Sequence, residues 1–264
     1  MQKIIASKRY LNSHKHQNLF FWKWLRDEVK GQFTDIDIDK LTYGSGAELE
    51  RLFLLFNILT IQNRAGGVND RFPFNNYKKI KYEDGGWTIE HIHAQRSQPM
   101  QDEKAIKTWL EETLQAIKNI SYIEVELPTS EDGPKTIEKR EVNADYVKRI
   151  NNLLLSTKID ANEFNLLKDE LIALFDSSSL HELDNLALLS KRHNSALNNS
   201  IFPVKRNKII NLVKQGAYIP LCTQNVFLKF YSNSDNQPYY WSKTDKNLYF
   251  NSMSSTITKF LNQA

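Results

Sequence analysis

The stretch Trp87-Thr88-Ile89-Glu90-His91-Ile92-His93-Ala94-Gln95 constrains this chain more than any other. Apolar and polar residues alternate along it, and Asp84-Gly85-Gly86 just before it is a turn signal. Such alternation places successive side chains on opposite faces, so the stretch reads as a short strand. A core strand rarely carries a carboxylate and two imidazoles this close together without a task for them. Glu90 beside His91 joins a hard oxygen donor to the one side chain that titrates near neutrality. A second polar cluster lies far downstream, from Asp184-Asn185-Leu186 to Asn194-Ser195. The expectation is that the two clusters meet in one active site.

Most of the remaining signals are helical. Upstream, residues 14–33 carry Leu19, Phe20, Trp22, Trp24, Leu25 and Val29 at helical spacing, which predicts an amphipathic helix. The segment Ala47–Gln62 is apolar on most sides and predicts a buried helix ended by Gly66-Gly67, with Phe72-Pro73-Phe74 as an irregular anchor. Between the two clusters, 102–120 places Ile106, Trp109, Leu110, Thr113, Leu114 and Ile117 three or four apart. Helical patterns at Ala144–Leu155 and 162–175 follow, after a polar loop at 130–134 flanked by strand pieces around Ile123-Glu124-Val125. Downstream, Leu186-Ala187-Leu188-Leu189 suits a buried strand, and Ser190 is a good N-cap for a helix running to about Asn199. Pro203 and Gly216 bracket another helix. Short apolar-aromatic runs at 226–231, 239–241 and 248–250 predict a small sheet, followed by a terminal helix at 255–261.

Composition excludes several classes. Glycine (9) and proline (7) are scarce, which argues against a disordered or fibrous chain. Cys222 is the only cysteine, so neither an internal disulfide nor a cysteine-based zinc knuckle can form. No long apolar run is present and the apolar stretch near Met1 is too short for a signal peptide, so a soluble, cytoplasmic chain without a membrane partner is expected. Lys plus Arg (35) exceeds Asp plus Glu (31), a net charge of +4 that leans mildly toward polyanions.

Glu90-His91 on a strand, a second strand after Asn185 and a helix bearing Asn194 resemble the HNH (His-Me finger, ββα-metal) nuclease motif. The phrasing Ile89-Glu90-His91-Ile92-x-x-Gln95, with Asp184-Asn185-Leu186-x-Leu188-Leu189, Asn194-Ser195, Asn198, Phe202 and Lys205, is similar to the nuclease part of GmrSD-type modification-dependent restriction enzymes. The resemblance extends to Leu52-Phe53-Leu54-Leu55-Phe56-Asn57 and Arg71-Phe72-Pro73-Phe74 before the motif, and to Ile219-Pro220-Leu221-Cys222-Thr223 and Val226-Phe227 after it.

It implies an α+β fold with a ββα-metal core (81–95 and 181–216) embedded in a mainly helical domain. A helical N-terminal region (1–80), a helical insertion (96–180) and a small β-containing C-terminal tail (217–264) complete it. It also implies a DNA endonuclease of a restriction or anti-phage system. His91 matches the general base and Asn185 the asparagine that orients it and ties the loop. Glu90 and Asn194 match the ligands of one Mg²⁺ or Mn²⁺, an oxygen donor set suited to such ions. Many relatives have Asp where Glu90 stands.

Four further residues are candidate substrate contacts. His93 either touches substrate or is a supporting or surface histidine. Asn198 either meets phosphate or caps local backbone. Lys205 and Arg206 either hold phosphate or form a solvated basic face. Family members are often joined to a nucleotide-hydrolysing sensor domain. No glycine-rich phosphate loop occurs here, so a separate sensor subunit or a missing N-terminal domain is implied, with modified phage DNA as the substrate. Two alternatives remain: a zinc hydrolase using His91 and His93 with His181 or His193, and a nucleic-acid-binding subunit without cleavage.

Overall fold

The computed structural model describes residues 23, 24, 26–33, 36–64, 71–83, 85–94, 99–126, 137–142, 144–175, 182–197, 199–232 and 237–262. The chain divides into two units, 1–40 with 261–264, and 41–260. In the first, residues 23, 24 and 26–31 are helical; half of the expected helix at 14–33 lies outside the described residues.

The second unit is mixed helix and sheet. Its elements are α1 (Ala47–Gln62), α2 (Phe74–Glu83), β1 (Trp87–His91), α3 (Glu103–Ile117), β2 (Tyr122–Glu126), β3 (Ile137–Glu141), α4 (Ala144–Leu155), α5 (Ala161–Phe175), β4 (Leu186–Ser190), α6 (Lys191–Leu197), α7 (Phe202–Lys214), α8 (Leu221–Phe227) and α9 (Lys243–Asn262). Two antiparallel two-stranded sheets form, β1 with β4 and β2 with β3. No helix among the described residues is long and apolar enough to cross a membrane.

The strand β1 is launched by two consecutive glycines at positive φ, Gly85 (83°) and Gly86 (93°), a conformation that L side chains rarely adopt. Gly86 N–H donates to the Ile80 carbonyl of α2, and its own carbonyl accepts from Lys191 N–H at 2.9 Å. Trp87 fixes the same corner, donating from Nε1 to the Tyr77 carbonyl and stacking on the Tyr77 ring at 4.9 Å. Alternation along the chain predicts strand through Gln95, but β1 stops at His91. Gln95 itself lies outside the described residues.

In the pairing of β1 with β4, Trp87 faces Ser190, Ile89 faces Leu188 and His91 faces Leu186. Ile92 N–H bonds the Asn185 carbonyl at 2.8 Å, just past the end of the ladder. Hydrogen-bonded pairs alternate with non-bonded ones, so the carbonyls of Ile89, His91, Leu186 and Leu188 point out of the ribbon's two edges. Each is met by a side chain. Asn194 Nδ2 reaches Ile89 O at 3.4 Å, Lys205 Nζ reaches His91 O at 2.6 Å, Tyr249 Oη reaches Leu186 O at 3.0 Å and Thr223 Oγ1 reaches Leu188 O at 2.6 Å. A lone two-stranded ribbon is marginal in water, and open edges invite mispairing. Here four polar side chains close the edges while α1, α6 and α8 pack against the strands.

The insertion is helical with one hairpin, β2–β3, whose Ile123 and Val125 are buried. Its core (Ile106, Trp109, Leu110, Ile150, Phe164, Leu171) runs continuously into Ile201 and Val204 around the start of α7 and into Tyr240.

The tail corrects the sequence reading. Among its described residues there is no sheet; the runs expected as strands fall in α8, a turn and α9. Tyr249, Met253 and Ile257 are buried at four-residue spacing, a helical period. Ser242 and Asp245 start α9 with reciprocal bonds, Ser242 N–H to Asp245 Oδ2 and Asp245 N–H to Ser242 Oγ. Asp245 also pairs with Lys229 at 2.6 Å, and Lys229 donates to the Gln237 and Tyr240 carbonyls, which pins the 237–242 segment.

Candidate active site

Glu90 and His91 are neighbours on β1, so their side chains leave opposite faces of the strand. His91 is 9% exposed, and its ring lies against Tyr43, centroids 4.3 Å apart. Tyr43 belongs to a short 3-10 turn, Tyr43–Ser45, in which Ser45 Oγ accepts from Thr42 N–H. A backbone bridge from Thr42 to Glu182 sets this turn beside a second one, Leu183–Asn185, that leads into β4. The sequence reading missed Tyr43. A Thr-x-x-Ser turn start is legible in the chain, but nothing there places it over His91.

Asn185 is fully buried. Its Oδ1 accepts from His93 N–H at 2.9 Å while its carbonyl accepts from Ile92 N–H. One residue thereby clamps the chain just after His91.

Glu90 is paired with Lys205, and Lys205 departs from its expected role. Glu90 is 6% exposed, and its Oε1 lies 2.6 Å from Lys205 Nζ. Burial pushes the carboxyl above the ordinary glutamate range, and the charge of Lys205 pulls it back. Lys205 as a free phosphate contact is corrected: it is 1% exposed, because Phe202, Pro203, Val204 and Lys205 all face inward in the first turn of α7. Its ammonium joins the Glu90 carboxylate to the His91 carbonyl.

His93 as a substrate contact is corrected as well. It lies beyond the end of β1, so strand alternation does not apply to it, and it is 1% exposed near Phe202 and Tyr240. Its Nε2 is 2.7 Å from the Trp241 carbonyl, an acceptor, so Nε2 carries the proton. Burial, with nearby Lys246, lowers its pKa to about 3. The zinc alternative needs this imidazole beside His91, and it is committed to the core instead. Among the described residues no three His, Cys, Asp or Glu side chains gather as a metal group.

The folded state therefore binds fewer protons at His93 than the unfolded chain between about pH 3 and the ordinary histidine range near 6.5. Its stabilising contribution is complete above that window and is lost as pH falls through it. Urea denaturation at a series of pH values from 7 down to 5 should show stability falling toward ~1.4 kcal/mol per pH unit. His93→Gln keeps a donor without titrating and should flatten that slope; an unchanged slope would assign the acid sensitivity elsewhere.

Asn194 sits on α6, which Ser190 caps by accepting from His193 N–H at 3.2 Å. Its Nδ2 is turned toward Ile89 O, the residue before Glu90, which leaves Oδ1 as the donor oxygen it can offer a ligand. A carboxylate and an amide oxygen fit a hard divalent cation in type. Lys205 competes for one of the two Glu90 oxygens. Arg206 is partly buried with no partner at Nε, and burial lowers its pKa. Asn198 and His181 lie outside the described residues.

Comparison with known proteins places no relative beside this geometry: no family model, no curated protein and no solved structure matches the chain.

Proposed function

We propose that this chain is a divalent-cation-dependent DNA endonuclease of the HNH (ββα-metal) kind. The observation that supports it is that β1, β4 and α6 pack together in the expected order, with His91 on β1, Asn194 on α6 and Asn185 in the turn that leads into β4. In this reading His91 takes a proton from the attacking water. Tyr43 limits the motion of its ring, while Asn185 and Lys205 hold the backbone on which it rides. Glu90 and Asn194 hold the cation, which when bound stabilises charge on the phosphate and the leaving oxygen. Arg206 supplies a positive group for phosphate. The biological setting that goes with the resemblance is defence against foreign, modified phage DNA, together with a nucleotide-hydrolysing sensor carried on another chain or domain.

One observation favours a second reading. Lys205 already neutralises Glu90, as a lost metal site would require, so a DNA-binding subunit without cleavage fits the same fold. Supercoiled plasmid separates the two. With Mg²⁺ or Mn²⁺ the purified chain, alone or with its sensor, should convert plasmid to nicked or linear DNA, and EDTA should stop it. Plasmid that is bound yet left intact in every divalent cation would favour the second reading. Activity in Zn²⁺ alone, lost equally in His91→Ala and His93→Ala, would revive the hydrolase.

A further inference from the structure

At the Trp87–Ser190 end of the ribbon, with His91 at the other end, a cleft of about 400 Å³ opens between α2, α6 and the end of α7. We propose that it is a phosphate-binding subsite that grips the backbone of a polynucleotide away from the reacting bond. The inference rests on the nuclease reading for its substrate, and on the cleft alone for its chemistry.

The lining is basic and polar. Lys79 and Arg192 contribute charge, with His193, Asn76, Gln215 and Tyr218 adding hydrogen-bonding groups, and no carboxylate is among the described lining residues. Neither Lys79 nor Arg192 forms an ion pair among the described residues. Another groove, of about 580 Å³ between α3 and α7, is different. There Glu111 and Glu112 share the lining with Lys208 and Lys214, and Lys208 is bound to Glu112 at 2.7 Å, so the groove carries carboxylates of its own. Two cations in a concave polar site with no carboxylate among its described lining residues favour an anion from outside.

The end of α7 could oppose an anion through its last carbonyls, but two of them are already used. Gly216, at φ 79°, donates to Val213 O, and Ala217 N–H donates to Leu212 O, a Schellman closure. The cleft is also at a useful distance. Ser190 lines it and pairs with Trp87, while His91 ends the same strand four residues on. At about 3.3 Å per residue the two ends of β1 are roughly 13 Å apart. That is about four steps of a duplex, so one polyanion reaches both.

A labelled DNA duplex titrated by fluorescence anisotropy in EDTA reads binding without cleavage. The double variant Lys79→Glu/Arg192→Glu should weaken binding at least about tenfold and flatten the salt dependence by about two counterions. Lys104→Glu, an exposed lysine of α3 that does not line the cleft, is the charge-reversal control and should stay within about twofold. Should the double variant melt early, Lys79→Gln/Arg192→Gln makes the same comparison with a smaller perturbation. Binding within twofold of wild type in a folded double variant overturns the subsite, as does a wild type that fails to bind duplex. Inorganic phosphate that raises the melting temperature through these two residues while duplex affinity stays constant overturns the polynucleotide assignment. Loss of binding in the cleft variants of a protein that never cuts would sink the nuclease reading and leave the subsite standing.

Discussion

His91→Ala is expected to slow plasmid nicking by about 100- to 10,000-fold, the usual contribution of a positioned base. The surroundings of His91 make this a clean substitution. Its main-chain carbonyl is held by Lys205, and the chain beyond it is clamped by Asn185, so these backbone contacts survive the loss of the imidazole. The variant loses the packing of one ring on Tyr43, and its far-ultraviolet dichroism should stay that of wild type. A small drop in melting temperature with loss of cleavage assigns the ring to chemistry. Wild-type nicking by His91→Ala would remove the base from the mechanism.

Lys205→Met should be the most destabilising single change near the site. It leaves the Glu90 carboxylate buried without its cation and the His91 carbonyl without its donor. Removing one partner of a buried pair costs about 3–5 kcal/mol, far more than an exposed pair is worth. Two dependences follow. Glu90→Gln added to Lys205→Met should restore much of the loss, because no buried charge remains. The single variant should also recover as pH falls. Its unpaired carboxylate has a folded pKa above the unfolded value, so the penalty is present at neutral pH and disappears once Glu90 is protonated. Urea unfolding at pH 7 and pH 5 measures both. A loss below about 1 kcal/mol at pH 7 would mean that the pair is open to water.

How much of this was legible in the sequence depended on the range of the force involved. The helices α1 and α4 fall where periodicity places them, because a buried stripe is written in local spacing. The helix α2 went unread: only Tyr77 and Ile80 of its ten residues are buried, too thin a stripe to stand out among lysines and asparagines. The tail misled in the opposite way. Its aromatics sit in short apolar runs that resemble strands, and helix wins through the Ser242–Asp245 start and the four-residue spacing from Tyr249 to Ile257.

In the site, Glu90 and His91 could be singled out because polar residues in an apolar strand are unusual, and Asn185 and Asn194 by their nine-residue step in the downstream polar cluster. Their partners could not. Nothing local marks Lys205 as buried against Glu90, or Trp241 as the acceptor for His93, since both contacts are made by packing between distant segments. His91 and His93 look alike in the sequence; the end of β1 between them puts one beside Tyr43 and the other in the core.

The central claim is that two distant segments of chain, one ending at His91 and one carrying Asn194, act as a single catalytic unit. Single-turnover nicking rates for wild type, His91→Ala, Asn194→Ala and the double variant test it most directly. Groups that act together are strongly non-additive. The account predicts that either single variant loses most of the activity and that the double variant is no slower than His91→Ala. Wild-type rates in Asn194→Ala, or losses that multiply as if independent, would contradict it.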